Sequence, residues 1–466
     1  MATRKSTVSD AGGDQVVDVL GYWWLPEHED HKVPGRFTWD PEEGGDLDLL
    51  GELIPLELKD NLLADGRVQK YRERRTKLQN QFPIIHGEVQ RQAYTLLNSF
   101  SLNGPGLSDL EESPEDVATN GVLVGAWYTD KADLEADRAI FHMRHLTTWV
   151  NTDSITTRHP HLDGEPDGPY IAITARQAPA YVAKFDHTEV RLFNELEPTG
   201  DRDTHSGVDH AWRLLVAADE MSQLEILTDI ATDIRALVTI GTGKTADIEK
   251  AVLQHPNLLK HNLAGQPISR FRDDITYFSR WSHRSADTAP VRRHDMFFDL
   301  AQFGGSDTIA GWLTTTSKYP TELRRVMATR YTDAMYLEDR IANTCAALES
   351  FDIVRRDVPK DKATFRERLR ASAENVGKPF TDLIVEPLDE WLTDVVQARN
   401  DLAHHGAYFR LHGTAGEHLL AEQLYWLFTM NLLREAGAHD AAFEGIVRHR
   451  DLRWLVDQAR ERRAAE

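Results

Sequence analysis

Residues 380–406 read FTDLIVEPLDEWLTDVVQARNDLAHHG, and this stretch decides how the C-terminal third of the chain folds. Ile384, Leu388, Trp391, Leu392, Val395 and Leu402 recur at helical spacing, which predicts an amphipathic helix. Pro387 either kinks that helix or marks its start, since proline lacks the backbone N–H that an interior turn needs. The helix closes on a dense polar cluster before Gly406: Arg399, Asn400, Asp401, His404 and His405. On a helix otherwise built for a core, such a cluster lowers stability unless function or a partner compensates.

The same periodicity continues on both sides. Tyr331 to Phe351 places Met335, Leu337, Ile341, Cys345 and Leu348 near one stripe, and two further helices are expected over about Glu417 to Ala436 and Ala441 to Arg463. Beyond about Asp299 almost everything reads as helix. Upstream the pattern is strand-like, with short apolar or alternating runs at Val33–Trp39, Gln81–Val89, Gln92–Phe100, Val122–Thr129, Tyr170–Ala175, Ala180–Phe185, Glu189–Phe193 and Trp212–Ala218. Turn residues such as Asn103-Gly104-Pro105-Gly106 punctuate them, and the polar stretches 158–169 and 197–208 read as loops. Gln223 to Ile240 is the exception, a helical pattern that stops at Gly241, while 257–298 fits neither period. The expectation is an α+β protein: a polar, disordered lead (1–15), a β-rich region (16–300) and an all-helical domain (301–466).

Composition narrows the function. The 466 residues carry 53 Lys and Arg against 75 Asp and Glu, a net charge of −22, with one cysteine. A lone cysteine excludes a disulfide framework and a cysteine-based zinc cluster. The acidity excludes a protein that coats nucleic acid through bulk charge, because phosphate binding draws on clustered Lys and Arg. Residues 331–466 hold 18 Lys and Arg and 24 Asp and Glu, so the helical domain is no exception. The opening MATRKSTVSD has no apolar core for a signal peptide. The most apolar run, Leu419 to Leu433, contains Glu422, Gln423 and Asn431 and is shorter than a membrane span of about 20 residues. A cytoplasmic protein without a membrane partner is expected.

Several motifs invite stronger readings. Gly241-Thr242-Gly243-Lys244-Thr245 looks like a phosphate loop, but that pattern needs glycine where Val238 stands, and it follows a strand rather than a helix. A glycine helix stop accounts for it. His159, His161 and Asp163 lie together in a Pro/Gly-rich stretch, which favours a solvated loop over a metal site. His142 and His145 read as exposed or hydrogen-bonded histidines. The eleven tryptophans, Trp23, Trp24, Trp39, Trp127 and Trp149 among them, fit a sugar cleft less well than core packing, because no facing carboxylate pair stands out.

The Arg399–His405 cluster suits RNA cleavage without a metal. The 2′-hydroxyl attacks the adjacent phosphorus, a neutral histidine accepts its proton, and a protonated one supplies a proton to the leaving oxygen. Arginine places a permanent forked donor where charge grows on the phosphoryl oxygens. DNA lacks the 2′-hydroxyl and cannot react this way. The spacing alone is weak: Arg434 to His439 repeats it across Gly437, and Arg138 to His145 comes close to it outside the helical domain. Five residues rotate by about 500°, which leaves Arg399 and His404 roughly 140° apart on a straight helix. Either the helix distorts, or the arginine reaches around, or a second chain completes the site.

The RNDLAHHG segment, the preceding helix ending Ala347-Leu348-Glu349-Ser350-Phe351 and the two following helices resemble the HEPN family. The N-terminal part resembles ApeA-type anti-phage proteins through Gly21-Tyr22-Trp23-Trp24-Leu25-Pro26, Val33-Pro34-Gly35-Arg36-Phe37, Ile84-Ile85-His86-Gly87-Glu88 with Thr95-Leu96-Leu97, and Phe141 to Trp149. The resemblance implies an abortive-infection effector whose helical bundle is a metal-independent endoribonuclease, with host RNA, tRNA among the candidates, as substrate. It implies a homodimer through the HEPN domain, a phage-derived trigger acting on a sensing or regulatory N-terminal region, and no cofactor. Arg399 and His404 match the two motif positions, Asn400 matches the polar residue after the arginine, His405 leaves an alternative base, and Glu349 matches an acid seen on the first HEPN helix. A HEPN-like bundle that binds RNA or protein without catalysis is the rival reading.

Overall fold

In the computed structural model of the protein, the described residues are 17–465, apart from 42, 73–74, 104–112, 161, 163, 165–169, 202, 263–264, 281–288, 333 and 405–407. The expected lead, 1–15, lies outside the described residues. Two compact units alternate along the chain: Met1–Phe141, Ala217–Leu227 and Glu249–His283 form the first, and His142–Val216, Thr228–Ile248 and Arg284–Glu466 the second.

The first unit is built on a closed six-stranded barrel. Its strands are β1 (Val17–Trp24), β2 (Val33–Asp40), β3 (Gly44–Leu49), β4 (Gln81–Val89), β5 (Gln92–Ser101) and β6 (Glu115–Thr119). Each pairs antiparallel with its neighbour in the order β5-β4-β1-β2-β3-β6, and Phe100↔Ala118 and Ser101↔Val117 close the ring from β6 back to β5. Closure removes the exposed sheet edges that invite aggregation. Alternation along β2 sends Val33, Phe37 and Trp39 inward, where they join Trp23, Leu47, Ile85, Tyr94 and Leu96 in one core. Trp23 packs against Phe37 at 5.5 Å and edge-on to Tyr94 at 5.9 Å. Gly87 makes that possible, because a Cβ there would lie 2.2 Å from the Trp23 ring.

A buried charge cluster ties the segment between β3 and β4 to the barrel. Glu52 and Glu115 are fully buried. Arg75 bridges them, with Nη1 to Glu115 Oε1 at 2.7 Å and Nη2 to Glu52 Oε2 at 3.0 Å, and Arg72 also donates to Glu52, at 2.7 Å from Nη1. The backbone N–H of Leu53 donates to Glu115 Oε2, and that of Ser113 shares Glu52 Oε1 with Arg72.

The C-terminal part is helical: α1 (Leu224–Thr242), then α2 (Gly305–Thr316), α3 (Pro320–Tyr331), α4 (Leu337–Arg356), α5 (Phe365–Val376), α6 (Leu388–His404), α7 (Tyr408–Glu435), α8 (Asp440–Arg448) and α9 (Arg450–Ala465). Helix α7 packs on α2, α4, α5 and α6. Its polar residues in the most apolar run of the chain are each answered. Glu422 accepts from Arg330 at 2.8 and 2.6 Å, Gln423 accepts from Trp391 Nε1 and donates to Leu383 O, and Asn431 donates to Ser372 O. Among the described residues no helix is long and apolar enough to cross a membrane.

The structure divides and redraws several expected elements. The helix expected over Tyr331–Phe351 is the end of α3 and the start of α4, with Thr332 extended between them (φ −99°, ψ 118°). The helix expected over Ala441–Arg463 is α8 and α9, broken at His449. Pro387 immediately precedes α6 and marks its start. The stretch 257–298 contributes to two strands, Ile248–His261 and Pro267–Ser279. The polar stretch 197–208 is a hairpin tip rather than an irregular loop, between strands Thr188–Asp201 and His205–Gln223. Asp201 holds the turn by accepting from Thr204 Oγ1 and N and from Asp203 N, and these hydrogen bonds pull its carboxyl down to about 2.

Two stability outcomes follow. Arg75→Ala leaves two buried carboxylates short of a partner and is expected to cost about 3–5 kcal/mol by denaturant titration; a loss below about 1 kcal/mol contradicts the cluster's role. Asp233 on α1 accepts from Thr316 Oγ1 at 2.7 Å, and burial, aided by Asp229, pushes its carboxyl up to about 6 from 3.8. The folded state therefore holds a proton that the unfolded chain has released. That contribution is full below about pH 4 and is lost as pH rises through about 6. Asp233→Asn keeps the acceptor without the charge, so its stability relative to wild type should rise by roughly 2–3 kcal/mol between pH 4 and pH 8. A difference flat over that range contradicts the assignment.

Candidate functional site

Helix α6 buries Trp391, Leu392, Val395 and Ala398, so Arg399 stands where the core-facing stripe gives way to the surface. Three helices converge on its guanidinium. Arg399 Nη2 donates to Glu349 Oε2 on α4 at 2.9 Å, and the guanidinium carbon lies 4.5 Å from the centre of the Phe365 ring at the start of α5. The Glu349 side chain is only 14% exposed, whereas that of Arg399 is 38% exposed. One N–H is therefore spent on Glu349 while part of the fork stays accessible, and a guanidinium has five donors.

The supports of this arrangement are rigid. Thr364 and Glu367 form a reciprocal capping box at the start of α5, which fixes Phe365. Asp352, one turn beyond Glu349 and fully buried, accepts from Arg356 at 2.7 and 2.6 Å and from Arg368 at 3.2 Å. Arg368 also reaches Pro359 O at 2.6 Å, so the end of α4 and the body of α5 are locked together. Cys345, one turn before Glu349, is buried, and burial pushes its thiol up to about 12. It stays protonated and packs as an apolar residue.

The structure thus brings Arg399 and Glu349 together. Asn400 is exposed on the next position, and Asp401 and Leu402 are half-buried. Helix α6 continues without a break to His404, which preserves the rotation of roughly 140° between the Arg399 and His404 positions. The His404 side chain and the whole of His405 lie outside the described residues. The competing pair is less suited: Arg434 is bound to Asp440 at 3.0 Å and covers the Phe443 ring, and Gly437 turns the chain between Arg434 and His439.

Of the other motifs, Gly241 and Thr242 end α1, and Gly243 takes the left-handed conformation of a helix stop (φ 71°). His161 and Asp163 lie outside the described residues. Among the described residues no group of three or more His, Cys, Asp or Glu side chains is placed to hold a metal ion. Sequence reasoning missed two features. Phe365 is one, although the capping-box pattern Thr364-x-x-Glu367 signalled the helix start beside it. The other is a cleft of about 750 Å³ lined by Lys244, Arg330, Arg340, Glu422, Trp426 and Arg450 among others. Arg330 and Arg340 belong to α3 and α4, which the periodicity had run together, so nothing in the sequence pointed to their meeting.

Comparison with known families places the larger part of the chain. The model for ApeA N-terminal domain 1 matches residues 18–309, which covers the barrel from Asp18 onward and stops short of Glu349 and Arg399. No curated protein and no solved structure matches the chain. Matched over more than half of its length, the chain belongs to the ApeA N-terminal domain 1 family and with it to the ApeA-type anti-phage defence proteins.

Proposed function

We propose that the chain is an RNA-cleaving effector of phage defence whose helical region acts as a metal-independent endoribonuclease of the HEPN type. The observation that carries this reading is the Arg399 guanidinium, held by Glu349 and Phe365 at the rim of the bundle with more than a third of its side chain exposed. In this reading Arg399 stabilises the charge that grows on the phosphoryl oxygens, and His404 exchanges the proton of the attacking 2′-hydroxyl. Glu349 is a positioning residue that fixes the guanidinium plane. Asn400 is an exposed polar group beside the phosphate, and His405 is the alternative base.

The unbroken turn between Arg399 and His404 supports a composite site. A straight helix presents the two residues to different directions, so one chain's arginine and the other's histidine share a groove in a homodimer. Host RNA, including tRNA, is the proposed substrate, and the N-terminal barrel unit is the proposed receiver of a phage-derived trigger.

Arg399→Ala and His404→Ala are each expected to cut RNA cleavage at least a hundredfold during phage infection, while circular dichroism and oligomeric state stay as in wild type. Cleavage persists in excess chelator and leaves 2′,3′-cyclic phosphate ends. Glu349→Gln loosens the arginine and lowers the rate by roughly tenfold or more, with Arg399 still present. Cleavage at the wild-type rate in either alanine variant would falsify the catalytic assignment. RNA binding without any cleavage in infected cells supports the binding-module reading instead.

A further inference from the structure

Residues 354–370 read VRRDVPKDKATFRERLR, seven Lys and Arg against three Asp and Glu, in a chain whose net charge is −22. The segment leaves the end of α4, passes a short turn (Lys360–Lys362) and enters α5, and it lies wholly within the second unit. Part of its charge is spent on packing. Arg368 is buried against Asp352, and Arg355 and Arg356 reach the same carboxylate at 3.3 and 2.6 Å.

The rest faces outward. Lys360 and Lys362 are exposed; Lys362 pairs with Asp361 at 3.2 Å, and Lys360 with no acid among the described residues. Arg366 and Arg370, one turn apart on α5, share a single carboxylate. Both donate to Asp389 at the start of α6, Arg366 at 3.1 Å, and Arg366 also donates to Thr393 Oγ1 at 2.7 Å. Each of the two side chains stays more than a third exposed. One carboxylate thus answers two guanidiniums, and this edge keeps a positive surplus.

These contacts also fix a direction. Arg366 meets Thr393 while Arg370 meets Asp389, so α5 runs antiparallel to α6, from its Arg399 end toward its start. Phe365, the first residue of α5, accordingly meets the Arg399 guanidinium at 4.5 Å. Lys362 stands three residues before Phe365, at most about 11 Å of chain. The outward cations therefore follow one edge that leads to Arg399.

We propose that this edge carries the sugar–phosphate backbone of an RNA strand to Arg399, with phosphates on Lys360, Lys362 and Arg366. The proposal deepens the ribonuclease reading and rests on it. Ammonium groups on flexible stems and a partly committed guanidinium suit phosphate oxygens. Contacts of this kind position a strand without reading its bases, so base selection lies elsewhere.

The test is fluorescence anisotropy of the full chain with a labelled single-stranded RNA, in a His404→Ala background so that the strand survives. Lys360→Glu with Lys362→Glu is expected to weaken binding about tenfold or more and to lower the salt slope by about 1.4, at about 0.7 per phosphate contact. Both lysines are exposed, so the melting curve should not move. The same change of charge at exposed residues outside this edge, Lys378→Glu with Arg448→Glu, should leave affinity within about threefold. DNA of the same sequence should compete, because the contacts go to phosphates; DNA that fails to compete overturns the backbone assignment. RNA affinity unchanged by the lysine substitutions overturns the proposal, as does an equal loss in the control variant or no RNA binding by the full chain. RNA cleavage that needs Arg399 but is indifferent to both lysines removes this edge and keeps the ribonuclease reading. Lysine-dependent RNA binding in a wild-type chain that cuts no RNA during infection does the reverse.

Discussion

Burying an ionised carboxylate calls for a close positive partner, and in four clusters of this protein arginines supply it. Removing an ionised carboxylate from water costs several kcal/mol, which only close, well-directed partners offset. In the first unit Arg72 and Arg75 answer Glu52 and Glu115. In the second, Arg235 and Arg144 answer Asp247, Arg368 and Arg356 answer Asp352, and Arg330 answers Glu422. Each set joins segments far apart in sequence: the β3–β4 connection to the barrel, the end of α1 to the chain after residue 143, α4 to α5, and α3 to α7. A chain with more acids than bases thereby places its arginines where they set geometry.

Arg399 gains its meaning from that pattern. Its partner Glu349 sits between Cys345 and Asp352 on α4, so the Asp352–Arg368 lock fixes both the carboxylate and the neighbouring Phe365. The pair is not fully desolvated. A half-exposed ion pair is worth little to stability, yet it holds one edge of a planar donor and leaves the rest available. The arrangement is weak as glue and effective as orientation, which is the property expected of a group that meets a ligand.

What the sequence disclosed follows from which forces are local. Gln81–Val89 and Val33–Asp40 show their alternation because one face meets the barrel core, and α6 shows its start because Pro387 acts within a single turn. The hairpin tip at 197–208 was illegible because both faces are polar, so its pattern carries no period. The break between α8 and α9 was hidden because no glycine or proline marks it. There His449 ends one helix by tertiary contacts, its ring against Phe297 and Nε2 within 3.0 Å of Asp295 O, and it caps the next by accepting from Asp451 N at Nδ1. At the candidate site the polar cluster on α6 was visible as a departure from the core pattern. Glu349 came into view through family resemblance, and Phe365 and the cleft only through packing.

The acidity that excludes coating of nucleic acid through bulk charge also restricts how the proposed RNA substrate could be met. Net charge acts over a Debye length of about 8 Å at physiological salt, so an acidic exterior repels RNA broadly while one exposed guanidinium acts at contact. A surface of that kind discriminates by position. On the proposed reading a phosphate would be held where Arg399 projects, and a second copy of the same point in a homodimer would fix two phosphates at a set spacing. Arginines committed to buried carboxylates thus shape the protein, and Arg399, bound to Glu349 yet 38% exposed, is the one that the proposed reading sets against the reacting phosphate.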